Sequence, residues 1–85
     1  MYKLYTANSK TEKLLIKYIS LKPEIKNKLD KLKENPTKVL RAHTLHGKLK
    51  RKWACWLESN IRAIYSLDLK NKIILIEAIG SHKIY

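Results

Sequence analysis

Few residues in this chain could do chemistry, and most stand in its second half. They are His43, His46, Arg62, His82 and Tyr85, with a basic run over residues 48–52 beside them. An imidazole takes up and releases a proton near pH ~6.5, so it can act as general acid or base near neutrality. His82 follows Gly80 by two residues, at the end of an apolar run, where loops on a rigid scaffold commonly carry function. His43 is the second acid/base candidate, and His46 reads as a surface residue. Arg62 stands one residue into an otherwise apolar segment. Its planar fork suits a phosphate. The competing reading is a guanidinium that snorkels to solvent or pairs with Glu58 or Glu77.

The basic run supplies Lys48, Lys50, Arg51 and Lys52, followed closely by Trp53 and Trp56. Cations for phosphates and rings for bases are the combination that holds single-stranded RNA. Alternation puts the two tryptophans on opposite faces of a strand, so only one can meet a groove. Trp56 is the substrate-side candidate, and a core anchor is the competing reading for either ring, since the chain has no phenylalanine. His43 and His46 have no carboxylate or cysteine at a matching interval, which speaks against a metal site. Cys55, the one cysteine, sits in an apolar run and reads as a small core residue. The reading requires neither metal nor cofactor.

The elements that must position these groups follow from periodicity. Tyr2 to Thr6 is β-prone and suits an edge strand. Ser9 and Glu12 fit a capping box, and Leu14, Leu15, Tyr18 and Ile19 then recur at helical spacing. Pro23 suits the first turn of a second helix, in which Ile25, Leu29 and Leu32 stand at i, i+4 and i+7, and Asn35-Pro36 stops it. A basic loop over residues 44–52 contains Gly47. Strands are expected over 53–58, 61–69 and 72–79, joined at Ser59-Asn60 and Lys70-Asn71 by short antiparallel turns. Residues 73–76 are apolar at every position, which predicts a strand covered on both faces. Helices first and a meander second give a two-layer α+β fold of order β-α-α-β-β-β, with two N-terminal helices on a small antiparallel sheet. The sheet face away from the helices is the natural place for a ligand groove.

Composition bounds the rest. Eighty-five residues suit one domain, 1–85. Nineteen Lys and Arg against seven Asp and Glu give +12 with His neutral. A moderate excess would be a solvated surface, but this one implies a polyanionic partner, nucleic acid or ribosome, ahead of an acidic protein or an anionic membrane. No apolar stretch is long enough to span a bilayer and no signal region opens the chain, so it reads as cytoplasmic.

The block from His43 to Tyr85 resembles the RelE/YafQ group of toxin–antitoxin toxins, of the RelE/ParE superfamily. The resemblance is carried by His43-Thr-Leu-His-Gly-Lys-Leu-Lys50, Trp53-Ala-Cys-Trp56, Arg62-Ala-Ile-Tyr65, Ile73-Ile-Leu-Ile76 and Ile79-Gly-Ser-His82, after a helical hairpin ending at Asn35-Pro36. It implies the RelE-like fold and a toxin that enters the ribosomal A site, against 16S rRNA, and cuts mRNA without metal. It also implies a cognate antitoxin that covers the site. On that pattern Arg62 binds the scissile phosphate, His82 and His43 transfer protons, and Tyr85 stacks on a base or assists proton transfer. Where relatives carry two lysines on the strand after the basic loop, this chain has Trp53 and Cys55. A histidine and an aspartate found in YafQ are absent near Trp56 and Asn60, and the tail between His82 and Tyr85 is one residue shorter. Two alternatives therefore stay open: a ParE-like inhibitor of gyrase on the same scaffold, and a non-catalytic RNA- or ribosome-binding module.

Overall fold

The computed structural model describes residues 1–45 and 51–81. Strand β1 (Lys3–Thr6) is followed by helices α1 (Ser9–Leu21) and α2 (Glu24–Glu34), then by β2 (His43–Thr44), β3 (Trp53–Glu58), β4 (Ile61–Asp68) and β5 (Ile73–Gly80). The strands form one sheet in the order β1-β5-β4-β3-β2. Both helices pack on one face of it, as the α+β reading expects. The sheet is mixed rather than antiparallel: β1 runs parallel to β5, with Leu4 opposite Ile74 and Thr6 opposite Ile76. The helical hairpin carries the chain from β1 to the opposite edge at β2, and the antiparallel run β2 to β5 brings it back beside β1. The edge position expected for β1 is the one it occupies.

The helices form where their apolar spacing places them. In α2, Ile25 and Leu32 are fully buried and Leu29 nearly so, while the lysines between them face outward. Pro23 precedes the first helical residue, at the N-cap position. The start of α1 differs from the capping box expected at Ser9. Asn8 is the cap, its Oδ1 accepting from the Thr11 N–H at 2.9 Å. Thr11 is thereby turned inward, and its hydroxyl donates to the Glu77 carbonyl at 3.2 Å. The sequence offers both an Asn and a Ser here. The long-range bond from Thr11 to β5 holds the helix in the register that favours Asn8.

The core joins Leu15, Ile25, Leu29 and Leu32 of the helices to Cys55, Leu57, Ala63, Tyr65, Ile74, Ile76 and Ile79 of the sheet. Tyr65 is wholly enclosed, and its hydroxyl donates to the Pro36 carbonyl at 2.6 Å, tying β4 to the chain that leaves α2. Cys55 is enclosed as expected, and burial pushes its thiol up to about 12. β5 is not covered on both faces: Ile74 and Ile76 are buried against the helices, whereas Ile73 and Leu75 are only half-buried. The β3–β4 turn is the expected two-residue Ser59-Asn60, with Glu58 opposite Ile61. The β4–β5 connection is longer than expected. Asp68 pairs with Ile73, and the Asp68 carboxylate accepts from the N–H and amide of Asn71. Among the described residues no helix is long and apolar enough to cross a membrane.

Candidate RNA-binding face

Side chains alternate across the sheet, so residues between the core positions point away from the helices. The pairing draws two rows on that far face. One runs His43, Ala54, Ile64, Ala78, and the next runs Trp56, Arg62, Gly80. His43 and Arg62 thus share a face, two strand spacings apart, roughly 9.5 Å across the sheet, and offset by one row. This brings two of the predicted catalytic residues and the predicted aromatic into one neighbourhood.

Arg62 is directly opposite Trp56, and its guanidinium carbon lies 3.4 Å from the centre of the indole. Its Nη1 donates to the Ser59 carbonyl at 3.0 Å, with the Glu58 carbonyl at 3.5 Å. The residue is only 7% exposed. It therefore neither snorkels nor pairs with Glu58 or Glu77. The Glu58 carboxylate turns elsewhere. The Ser59 N–H, then a hydrogen bond shared with Glu24 and the charges of Lys28 and Lys22, hold it below the usual carboxylate range. A bulge between Trp56 and Glu58 lets the β3–β4 turn fold its carbonyls back onto the arginine.

A second cation shares the ring, and the sequence reading missed it. The guanidinium carbon of Arg41, an exposed residue, lies 4.5 Å from the Trp56 centroid. Both distances run to one point, so the two guanidinium carbons stand within about 8 Å of each other and repel by roughly 0.5 kcal/mol in water or about 2 kcal/mol at an effective dielectric of 20. The ion pairs among the described residues are Lys33–Asp30 at 3.8 Å and Lys52–Glu77 at 2.7 Å, and neither includes these arginines. Trp56 is thus an indole that holds arginines, rather than a bare platform for a base.

Arg41 arrives through the turn Val39-Leu40-Arg41-Ala42, closed by the Ala42 N–H on the Val39 carbonyl at 2.9 Å. Leu40 and Arg41 both have left-handed backbone, φ 54° and 56°. With a positive φ at both central positions this is the pattern of a type I′ turn, normally built from Asn and Gly. The Leu40 carbonyl accepts from the Trp56 N–H at 2.8 Å. The Arg41 carbonyl lies 2.9 Å from His43 Nδ1. A carbonyl can only accept, so Nδ1 carries the hydrogen and Nε2 is the proton-accepting atom of the neutral ring. That is the tautomer in which Nε2 could serve as a general base.

Lys52, read as a substrate-binding cation, is paired with Glu77, whose Oε2 also accepts from Ser66 Oγ at 3.0 Å. Its charge is compensated within the protein. Arg51 is exposed, on left-handed backbone with φ 74°. Lys48, Lys50, His82 and Tyr85, with His46 and Gly47, lie outside the described residues. Among the described residues no group of three or more His, Cys, Asp or Glu could hold a metal ion.

No family model matches the chain, and no curated protein matches it in sequence. Solved structures do match over nearly its whole length. The crystal structure of YafQ from E. coli superposes with a TM-score of 0.68 at 22% identity, covering 98% of this chain and 96% of that one. The archaeal RelE–RelB complex from Pyrococcus horikoshii matches at 0.73 and 19% identity, covering 99% and 98%. A copper-bound mutant toxin from Helicobacter pylori matches at 0.73 and 20% identity, over all of both chains. The chain has the fold of the RelE/YafQ-type toxins.

Proposed function

We propose that this chain is the toxin of a type II toxin–antitoxin pair, a ribosome-dependent endoribonuclease that cuts mRNA without a metal and so stops translation. The observation that carries the reading is the shared face. A stacked, carbonyl-anchored Arg62 and a histidine with Nε2 as its accepting atom stand together on a sheet whose fold is that of YafQ and RelE. The net charge of +12 supplies the long-range attraction to RNA.

In this reaction the RNA 2′-oxygen attacks the adjacent phosphorus, forming the O2′–P bond and breaking the P–O5′ bond. His43 Nε2 takes the proton of the 2′-hydroxyl, and His82 returns one to the departing 5′-oxygen. The products are a 2′,3′-cyclic phosphate and a free 5′-hydroxyl. Arg62 is fixed before substrate arrives, so the part of its fork not held by the backbone carbonyls, Nε and Nη2, meets the growing negative charge without reorganising. Tyr85 stacks on a neighbouring base, and Lys48, Lys50 and Arg51 follow the strand toward the 16S rRNA of the A site. The site works in cytoplasm, where the partner antitoxin, acidic in its binding segment, wraps this face. The complexes of RelE with RelB and of YafQ with DinJ support such pairing.

Expression in a translating extract tests the reading. Cuts within codons of ribosome-bound message are expected, and Arg62→Ala and His82→Ala should each abolish most of them. Undiminished cutting by both folded variants would remove the site assignment. A second reading, binding without cutting, is favoured by one observation: the far face of β3 presents Ala54 and Trp56, and the nearby Lys52 is neutralised. Ribosome binding with message intact at every pH selects it. Intact message with induction of the DNA-damage response selects the gyrase reading instead.

A further inference from the structure

We propose that Arg41 is a second phosphate-binding residue on this face, a positioning group that grips the backbone of single-stranded RNA beside the phosphate held by Arg62. The inference rests on the reading of this face as an RNA site, and it does not need the cutting step.

The local backbone is the first argument. Leu40 and Arg41 hold consecutive left-handed conformations although neither is Gly, Asn or Asp. Such conformations persist where the surroundings over-determine them, and they cluster at functional sites. Here each peptide group of the turn is used. The Val39 carbonyl closes the turn on Ala42, the Leu40 carbonyl binds β3 at Trp56, and the Arg41 carbonyl binds His43. A turn needed only for its shape would be satisfied by Asn at 41. What Arg adds is a guanidinium laid over the ring that already carries Arg62.

Electrostatics is the second argument. Two permanent cations on one indole raise each other's energy, and the ion pairs of the described residues leave both out. An anion beside them relieves that repulsion. Arg41 is exposed whereas Arg62 is buried, so the pair reads as an outer and an inner contact on one face. A phosphodiester chain offers charges at such a spacing. Through its own carbonyl, the same residue also fixes the tautomer of His43, so it links substrate position to the proton acceptor.

The test uses the full chain and a fluorescent single-stranded oligonucleotide bearing 2′-O-methyl groups, which cannot be cut. Binding is measured by anisotropy across a salt series. Arg41→Asn keeps the left-handed turn, because Asn tolerates it, and removes the charge. We expect it to weaken binding about tenfold and to flatten the slope of log affinity against log salt by about 0.7, one phosphate's share on a single strand. Arg41→Lys should keep the slope while losing part of the affinity, since an ammonium cannot reproduce the planar stack. Melting temperatures of both should stay near that of wild type. If Arg41→Asn does not fold, Arg41→Gly is read in the same way. Wild-type affinity and slope in a folded Arg41→Asn would overturn the proposal, and so would a wild-type chain that does not bind the oligonucleotide. A chain that binds with the expected slope change but leaves ribosome-bound message intact would sink only the ribonuclease reading.

Discussion

At position 62 one side chain is held by three different groups, an indole face and two backbone carbonyls. A lysine there would keep the charge but lose both the stack and the fork. Arg62→Lys is therefore expected to lower single-turnover cutting of ribosome-bound message by about 10²-fold or more. The same change should destabilise the fold by roughly 1–3 kcal/mol, because a single ammonium cannot serve the turn carbonyls and lie flat on the indole at once, leaving buried polar groups poorly paired. Urea melts alongside the cutting assay separate the two effects. His43 lies on an exposed two-residue strand, so His43→Ala should leave stability within about 0.5 kcal/mol yet lower the cutting rate by about 10²–10⁴-fold. At this scale the sequence was half legible. An arginine in an apolar strand announced itself, and so did a histidine before a basic run. Arg41 did not, because Val39-Leu40-Arg41-Ala42 contains none of the residues that normally mark a tight turn. Nor did the contact between Trp56 and Arg62, which depends on cross-strand register and on the bulge at Glu58.

The helix ends can be tested one residue at a time. Asn8, not Ser9, satisfies the first turn of α1. Asn8→Ala should cost ~1 kcal/mol, a fall of roughly 4–8 °C in melting temperature for a domain of this size. Ser9→Ala should change it by less than ~2 °C. Thermal melts of the two variants give opposite rankings under the two caps. The helices were legible because their pattern is local: Ile25, Leu29 and Leu32 sit one above another in any α-helix. The direction of β1 was not. Its partner β5 lies some seventy residues away, and nothing within Lys3–Thr6 distinguishes a parallel neighbour from an antiparallel one. The uncovered half of β5 was misread for a related reason. An unbroken apolar run shows that residues are apolar, not that a second layer exists to cover them.

For the whole molecule, charge and burial set the response to solution conditions. The folded state holds the Cys55 thiol up to about 12, above its ordinary 9.0, because it is enclosed. The unfolded chain releases that proton first as pH rises. The contribution is therefore fully present below pH 9 and lost above it, with stability falling by roughly 1 kcal/mol per pH unit. Burial also raises Tyr65, which steepens the decline at still higher pH. Denaturant melts between pH 8 and 10 should show this limb, and Cys55→Ala should flatten it. The charge and the order of the longer elements were readable at this scale, as was the enclosed thiol, since each follows from composition or from a local pattern; the two-residue strand His43–Thr44, at the start of what read as a loop, was not, because its pairing with β3 leaves no periodic signal.

Whether one sheet face breaks bonds in RNA is decided by the chemistry of the ends left on ribosome-bound message by the purified chain. A 2′,3′-cyclic phosphate is expected upstream and a 5′-hydroxyl downstream of each cut, with both lost in folded Arg62→Ala and His43→Ala. A 3′-hydroxyl with a 5′-phosphate, or the same ends at undiminished yield in those variants, would contradict the ribonuclease reading.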